Sequence, residues 1–160
     1  MPEIWTLGTS TRTIHEFMQV LQAFGVETVA DVRHFPESRR FPHFTREPLR
    51  ESLEENGFHY VWLGETLGGY RKGGYEEHMK TPAFLEGIEA LCKVAAASKT
   101  AIVCAEVLPW KCHRRHIARA MEARRWQVTH ILSARKTWNP DSALKPGNQL
   151  EAFQPSSAEK

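Results

Sequence analysis

Short apolar runs alternate with longer stretches of helical periodicity, and this alternation constrains the fold more than any other feature of the chain. The runs are Ile4-Trp5-Thr6-Leu7, Thr28-Val29-Ala30-Asp31-Val32, His59-Tyr60-Val61-Trp62-Leu63, Thr100-Ala101-Ile102-Val103-Cys104 and Val128 to Leu132. Between them, apolar residues recur at helical spacing. Ile14, Phe17, Met18, Leu21 and Phe24 mark one helix, opened by Thr13 and Glu16 at capping-box spacing and stopped by Gly25. Residues 46–56 form a second, with Thr45 as N-cap and Leu49 and Leu53 inward. Thr81-Pro82 opens a third through Phe84, Ile88, Leu91 and Ala95, and 112–125 make a fourth. Strands alternating with helices predict an α/β three-layer α/β/α sandwich around a mainly parallel sheet of about five strands. Their order is not legible in the pattern; a flavodoxin-like and a rhodanese-like order fit equally.

The 160 residues suit one domain, expected over 1–138, with a loose or surface-wrapping tail over 139–160 where Pro140, Pro146, Gly147 and Pro155 interrupt any periodicity. A 41% hydrophobic content predicts a packed core and excludes wholesale disorder. The net charge of +2 is uneven: from Lys99 to Trp138 nine Lys/Arg face two acids, a local +7 that leaves −5 for the rest. A basic face is expected there, suited to phosphate or nucleic acid. The opening residues Met1-Pro2-Glu3-Ile4-Trp5 lack the pattern of a signal peptide, no apolar run approaches membrane-spanning length, and the cysteines number three, Cys92, Cys104 and Cys112. Together these predict a cytoplasmic protein with no membrane partner and no disulfide framework.

In open parallel sheets ligands bind beyond the carboxyl ends of the strands. The strand-exit loops are therefore the place to seek chemistry, and they are polar. Gly8-Thr9-Ser10-Thr11-Arg12 leads into a helix N-terminus and offers Ser10 to an anion; it is not a nucleotide-binding P-loop. The next exit carries Asp31 and Arg33, either a structural ion pair or part of a site, and then Ser38 with Arg39 and Arg40, whose guanidinium groups suit a phosphate or carboxylate. After residue 63 comes a long Gly-rich loop in which Gly68-Gly69 permits close backbone approach to a ligand.

The fourth exit, Cys104-Ala105-Glu106-Val107-Leu108-Pro109-Trp110-Lys111-Cys112-His113-Arg114, gathers the most reactive groups. Cys104 is expected at a strand tip. Cys112 is expected near a helix start, where the dipole and neighbouring arginines favour thiolate. Glu106 and His113 are candidates for proton transfer, and Arg114 for binding an anion. The spacing matches no compact zinc motif, so no metal site is expected, and no cofactor is legible.

These segments resemble the family called domain of unknown function 488. The resemblance rests on Thr6-Leu7-Gly8-Thr9-Ser10, Asp31-Val32-Arg33 with Pro36 and Ser38-Arg39, Leu67-Gly68-Gly69, and Cys104-Ala105-Glu106 followed by Cys112-His113-Arg114. It spans roughly residues 3 to 135 and implies the fold and the position of the pocket. The family pattern carries His where this chain has Thr9. A second, weaker resemblance is to rhodanese-type domains, through Asp31-Val32-Arg33 and the strand-ending Cys104. The Arg six residues on that cysteine phosphatases require is replaced by Trp110, so neither sulfur transfer nor phosphatase chemistry is implied.

Two functions fit these residues. One is an enzyme acting on a small anionic or nucleotide-like substrate, with Cys104 or Cys112 as nucleophile, Glu106 or His113 moving protons, and Ser10, Asp31, Arg33, Ser38, Arg39, Gly68, Gly69 and Arg114 binding substrate. The other is a non-catalytic module binding nucleic acid or nucleotide through Arg114, Arg115, Arg119, Arg124 and Arg125, with Trp110, Trp126 and Trp138 available to stack on bases.

Overall fold

Residues 2–139 are described in a computed structural model of the protein. Apart from Asn139, the expected tail lies outside the described residues. Six strands form one sheet: β1 (Glu3–Gly8), β2 (Thr28–Asp31), β3 (His59–Trp62), β4 (Thr100–Cys104), β5 (Gln127–Ser133) and β6 (Lys136–Trp138). The helices are α1 (Ile14–Ala23), α2 (Arg46–Glu55), α3 (Gly64–Leu67), α4 (Tyr75–His78), α5 (Pro82–Ala97) and α6 (Arg114–Ala123). The two short helices α3 and α4 sit inside what the sequence presents as a Gly-rich loop.

The sheet order is β3-β2-β4-β1-β5-β6. It is not the 2-1-3-4-5 order of flavodoxin. The first five strands are parallel, while β6 pairs antiparallel with β5 through an irregularity between Ile131 and Ser133. This sixth strand was not expected from the sequence. It is three residues long and follows a tight turn, too short to show alternation.

Strand side chains alternate between two cores, which is what makes three layers. Ile4, Ala30, Ile102 and Val128 pack with Ile88 and Leu91 of α5 and Ile117 and Met121 of α6. Trp5, Leu7, Val29, Val103 and Ile131 pack on the opposite face with Phe17 and Leu21 of α1 and Leu49 and Leu53 of α2. All five residues of β4 are buried, as a strand covered on both faces must be.

The caps follow the local chemistry, with one exception. At α1 the Thr13 side chain accepts from the Glu16 amide at 3.0 Å and Glu16 returns a bond to the Thr13 amide at 2.8 Å. At α5 the Thr81 hydroxyl accepts from the Phe84 amide. Thr45 occupies the N-cap of α2 but makes no side-chain cap. Its hydroxyl instead accepts from the Ser38 amide at 3.2 Å, tying the β2 exit loop to the helix start.

This topology fixes the functional geometry. The chain passes from β1 to β2 leaving a gap that β4 later fills, so the exits of β1, β4 and β2 lie side by side. Gly8 is in register with Cys104, and Asp31 with Val103.

Candidate active site

The three central exits wall a cleft of about 850 Å³. Cys104, Glu106, Cys112 and His113 line it from the β4 exit, Ser10 from β1, and Arg33 and Ser38 from β2. Gly69 reaches it from the loop after α3. The sequence therefore named residues far apart in the chain that the fold brings to one concavity.

The loop that carries the thiols is fastened to its neighbours. The Thr9 amide donates to the Cys104 carbonyl at 2.8 Å, and the Ser10 amide to the Ala105 carbonyl at 2.9 Å. Gly8 presses against the Glu106 backbone so closely that a Cβ would overlap its carbonyl. The Glu106 carboxylate accepts from the Leu108 amide at 3.1 Å, bracing the turn. Ser10 holds a left-handed backbone at φ 51°, a conformation rare outside glycine.

Cys104 and Cys112 meet sulfur to sulfur at 2.8 Å. Both are free thiols and both are buried, Cys104 at 2% and Cys112 at 9% exposure. Cys112 sits two residues ahead of α6, and its sulfur accepts from the Arg114 amide at the helix start, 3.5 Å away. Its other neighbour is Nδ1 of His113, also at 3.5 Å. The Nε2 of His113 lies 3.0 Å from the Val32 carbonyl, which only accepts, so Nε2 carries the ring proton. Burial, reinforced by the Arg114 charge, lowers His113 to about 4, so the ring is neutral at pH 7. Nδ1 is then a bare lone pair aimed at the thiol pair.

Beneath the pair lies Arg114, 0% exposed. Its Nη2 donates to the Val107 carbonyl at 2.9 Å, while Nε and Nη1 have no partner among the described residues. A guanidinium without a carboxylate is costly in such a place. The thiols supply the missing charge. Burial pushes Cys104 up, but the hydrogen bond from Cys112 and the field of Arg114 outweigh it and bring it down to about 7. The same hydrogen bond to Cys104, with burial, raises Cys112 far above the ordinary thiol range. The pair therefore loses its first proton at about pH 7, and the resulting negative charge belongs to the two sulfurs together.

Several expected residues have other neighbours. Asp31 is fully buried and does not line the cleft. It accepts from Arg33 Nε and Nη2, both at 2.8 Å, and from the Tyr60 hydroxyl. Arg33 reaches the cleft with its charge already matched. Arg114 lies under the cleft rather than on its wall. Arg39 lines a shallower neighbouring groove beside Arg46 and Trp62. The Ser38 hydroxyl accepts from the Phe41 amide at 3.0 Å. Gly68 packs against Gly64 and His34, whereas a Cβ on Gly69 would lie 3.3 Å from His113 Nδ1.

Sequence reasoning missed Tyr75 and Lys111, both on the cleft wall. Tyr75 donates to the Leu67 carbonyl at 2.8 Å and packs against the His113 ring. No local pattern marks it. Lys111 stands between Pro109 and Cys112, where it reads as one more basic residue. Among the described residues no group of three or more Cys, His, Asp or Glu side chains is placed to hold a metal ion. None of the described helices is long and apolar enough to cross a membrane.

Fold and site together define a parallel α/β protein with a dithiol at the carboxyl end of its central strand. The chain belongs to the family described as domain of unknown function DUF488, whose profile matches residues 13–121. No curated protein and no solved structure shows significant similarity to it.

Proposed function

We propose that this chain is an enzyme acting on a small anionic substrate, with Cys104 as the nucleophile. The observation that supports this reading is the row Cys104–Cys112–His113 beside the buried Arg114, whose guanidinium has no carboxylate among its hydrogen-bond partners, on the wall of a cleft that also presents Arg40 and Lys111 along with Glu37 and Glu106. A thiolate is the nucleophilic form of cysteine, and a buried cation is a direct way to favour it. Cys112 donates a hydrogen bond to that thiolate, and the Nδ1 lone pair of His113 beside Cys112 can accept a hydrogen bond as the thiol reacts. Arg40 and Lys111 on the cleft wall are available to an anion. Free buried thiols fit a reducing, cytoplasmic setting.

Alkylation tests this directly. Iodoacetate and iodoacetamide share a leaving group but differ in charge. The labelling rate should inflect at about pH 7, and iodoacetate should be favoured roughly tenfold more than it is with free cysteine. Peptide mapping should place the label on Cys104, and Cys104→Ser should abolish it. Arg114→Met should move the inflection toward the ordinary thiol value and slow labelling at pH 7 roughly tenfold. An inflection near 8.5 with no preference for the anionic reagent would overturn the reading.

A second reading rests on α6 and the turn after it, which expose Arg115, Arg119, Arg124 and Arg125. Their charge suits nucleic acid, and steeply salt-dependent binding to a duplex would favour it. The aromatic part of that reading is weaker. Trp110 and Trp138 pack edge to face at 5.0 Å, and Trp126 lies against the core.

A further inference from the structure

We propose that Cys104 and Cys112 are a reversible redox pair that reduces small hydroperoxides by closing a disulfide within the cleft wall. The proposal uses the same thiolate as the reading above but needs no anionic substrate.

Three observations support it. The sulfurs are 2.8 Å apart, against about 2.05 Å for a disulfide bond, so closure requires little movement. The chain between them is braced: Thr9 holds Cys104, Glu106 holds Leu108, the Lys111 amide donates to the Leu108 carbonyl, and Arg114 holds Val107. Finally, Arg114 sets the direction in which the pair is poised. The thiolate neutralises its buried charge. A disulfide carries no charge and would leave the guanidinium alone. The reduced form is thereby favoured, which makes the disulfide readily reduced, as a working pair requires and a structural bridge does not.

The steps balance with a hydroperoxide as oxidant. The Cys104 thiolate attacks the near peroxide oxygen and the O–O bond breaks. The far oxygen leaves, takes a proton from solvent and departs as alcohol or water; Cys104 becomes a sulfenic acid. The Cys112 sulfur attacks the sulfenic sulfur, the S–O bond breaks, and the departing hydroxide takes the Cys112 proton and leaves as water. Two thiols have lost two electrons to the peroxide, and an external dithiol returns them by exchange. Cys92 takes no part: it lies on α5 with its sulfur against Met121.

The test is titration of the reduced full chain with hydrogen peroxide, read by thiol count, intact mass and non-reducing peptide mapping. One equivalent should consume two thiols and give a monomer lighter by two hydrogens, cross-linked between Cys104 and Cys112. Dithiothreitol should restore it, and Cys92→Ala should behave the same. In Cys112→Ser the reaction should stop at a sulfenic acid on Cys104, trapped by dimedone. Arg114→Met should shift the equilibrium with glutathione toward the disulfide by tenfold or more. Oxidation of wild type to a sulfinic acid without cross-linking, or cross-linking only between chains, would overturn the pair. The two proposals fail separately. Disulfide closure without iodoacetate preference removes the anionic substrate and leaves the redox pair. Iodoacetate preference without closure does the reverse.

Discussion

Acidification should begin to destabilise this protein below about pH 6.5, before its carboxylates titrate, and His130 and His113 should be the cause. His130 is buried on β5 with Nδ1 at 2.7 Å from the Thr6 hydroxyl. Burial, with the Arg114 charge added to it, lowers its value to about 3, and His113 lies at about 4. Both values sit below the 6.5 of an exposed histidine. Groups depressed in this way stabilise the fold fully above about pH 6.5 and lose that contribution as pH falls toward the folded-state values. The shifts correspond to roughly 3 kcal/mol for His113 and roughly 5 kcal/mol for His130. A domain of this size is stable by only about 5–15 kcal/mol in total. Urea midpoints measured from pH 7 to pH 4 should therefore fall steeply, with most of the loss between pH 6 and 4. His130→Asn, which keeps a polar group near the Thr6 hydroxyl, should flatten the profile. A midpoint unchanged down to pH 4.5 would contradict this account.

Asp31→Asn should cost about 3–5 kcal/mol, because it leaves a buried guanidinium without its counter-charge. The carboxylate is wholly enclosed and takes four hydrogen bonds: from the Arg33 amide, Arg33 Nε, Arg33 Nη2 and the Tyr60 hydroxyl. The Arg33 carbonyl in turn accepts from Trp62 Nε1 at 2.8 Å, so the pair joins β2 to β3. An amide of the same shape keeps the volume and forfeits the charge. The variant should unfold at much lower urea. The surviving fraction should show a stronger preference for iodoacetate over iodoacetamide, because Arg33 then faces the cleft uncompensated. Adding Arg33→Met should recover part of the lost stability and remove the added preference. Loss of stability with no change in reagent preference would mean that Arg33 does not contribute to the field of the cleft.

The contrast between Asp31 and Cys104 shows what was readable in the chain. Both end buried strands, and both were expected at the pocket. The alternation of side chains along a strand is local, so the exits were legible as exits. Which exits become neighbours depends on where β4 inserts, and that is decided by packing across the whole sheet. Arg114 makes the same point. Beside Cys112 and His113 it reads as an anion clamp, but the turn into α6 carries it under the loop. There its charge lies close to the thiols.

By itself, the sequence determined the α/β class, the capped helix after β1, the polar exits and the residue types that line the cleft, because periodicity and capping are short-range. Only the tertiary structure decided the strand order, the added β6, the burial of Asp31 and the meeting of two thiols over an unpaired guanidinium. Each of these depends on contacts between segments distant in sequence, and on the exclusion of water that makes a single buried charge dominate its surroundings.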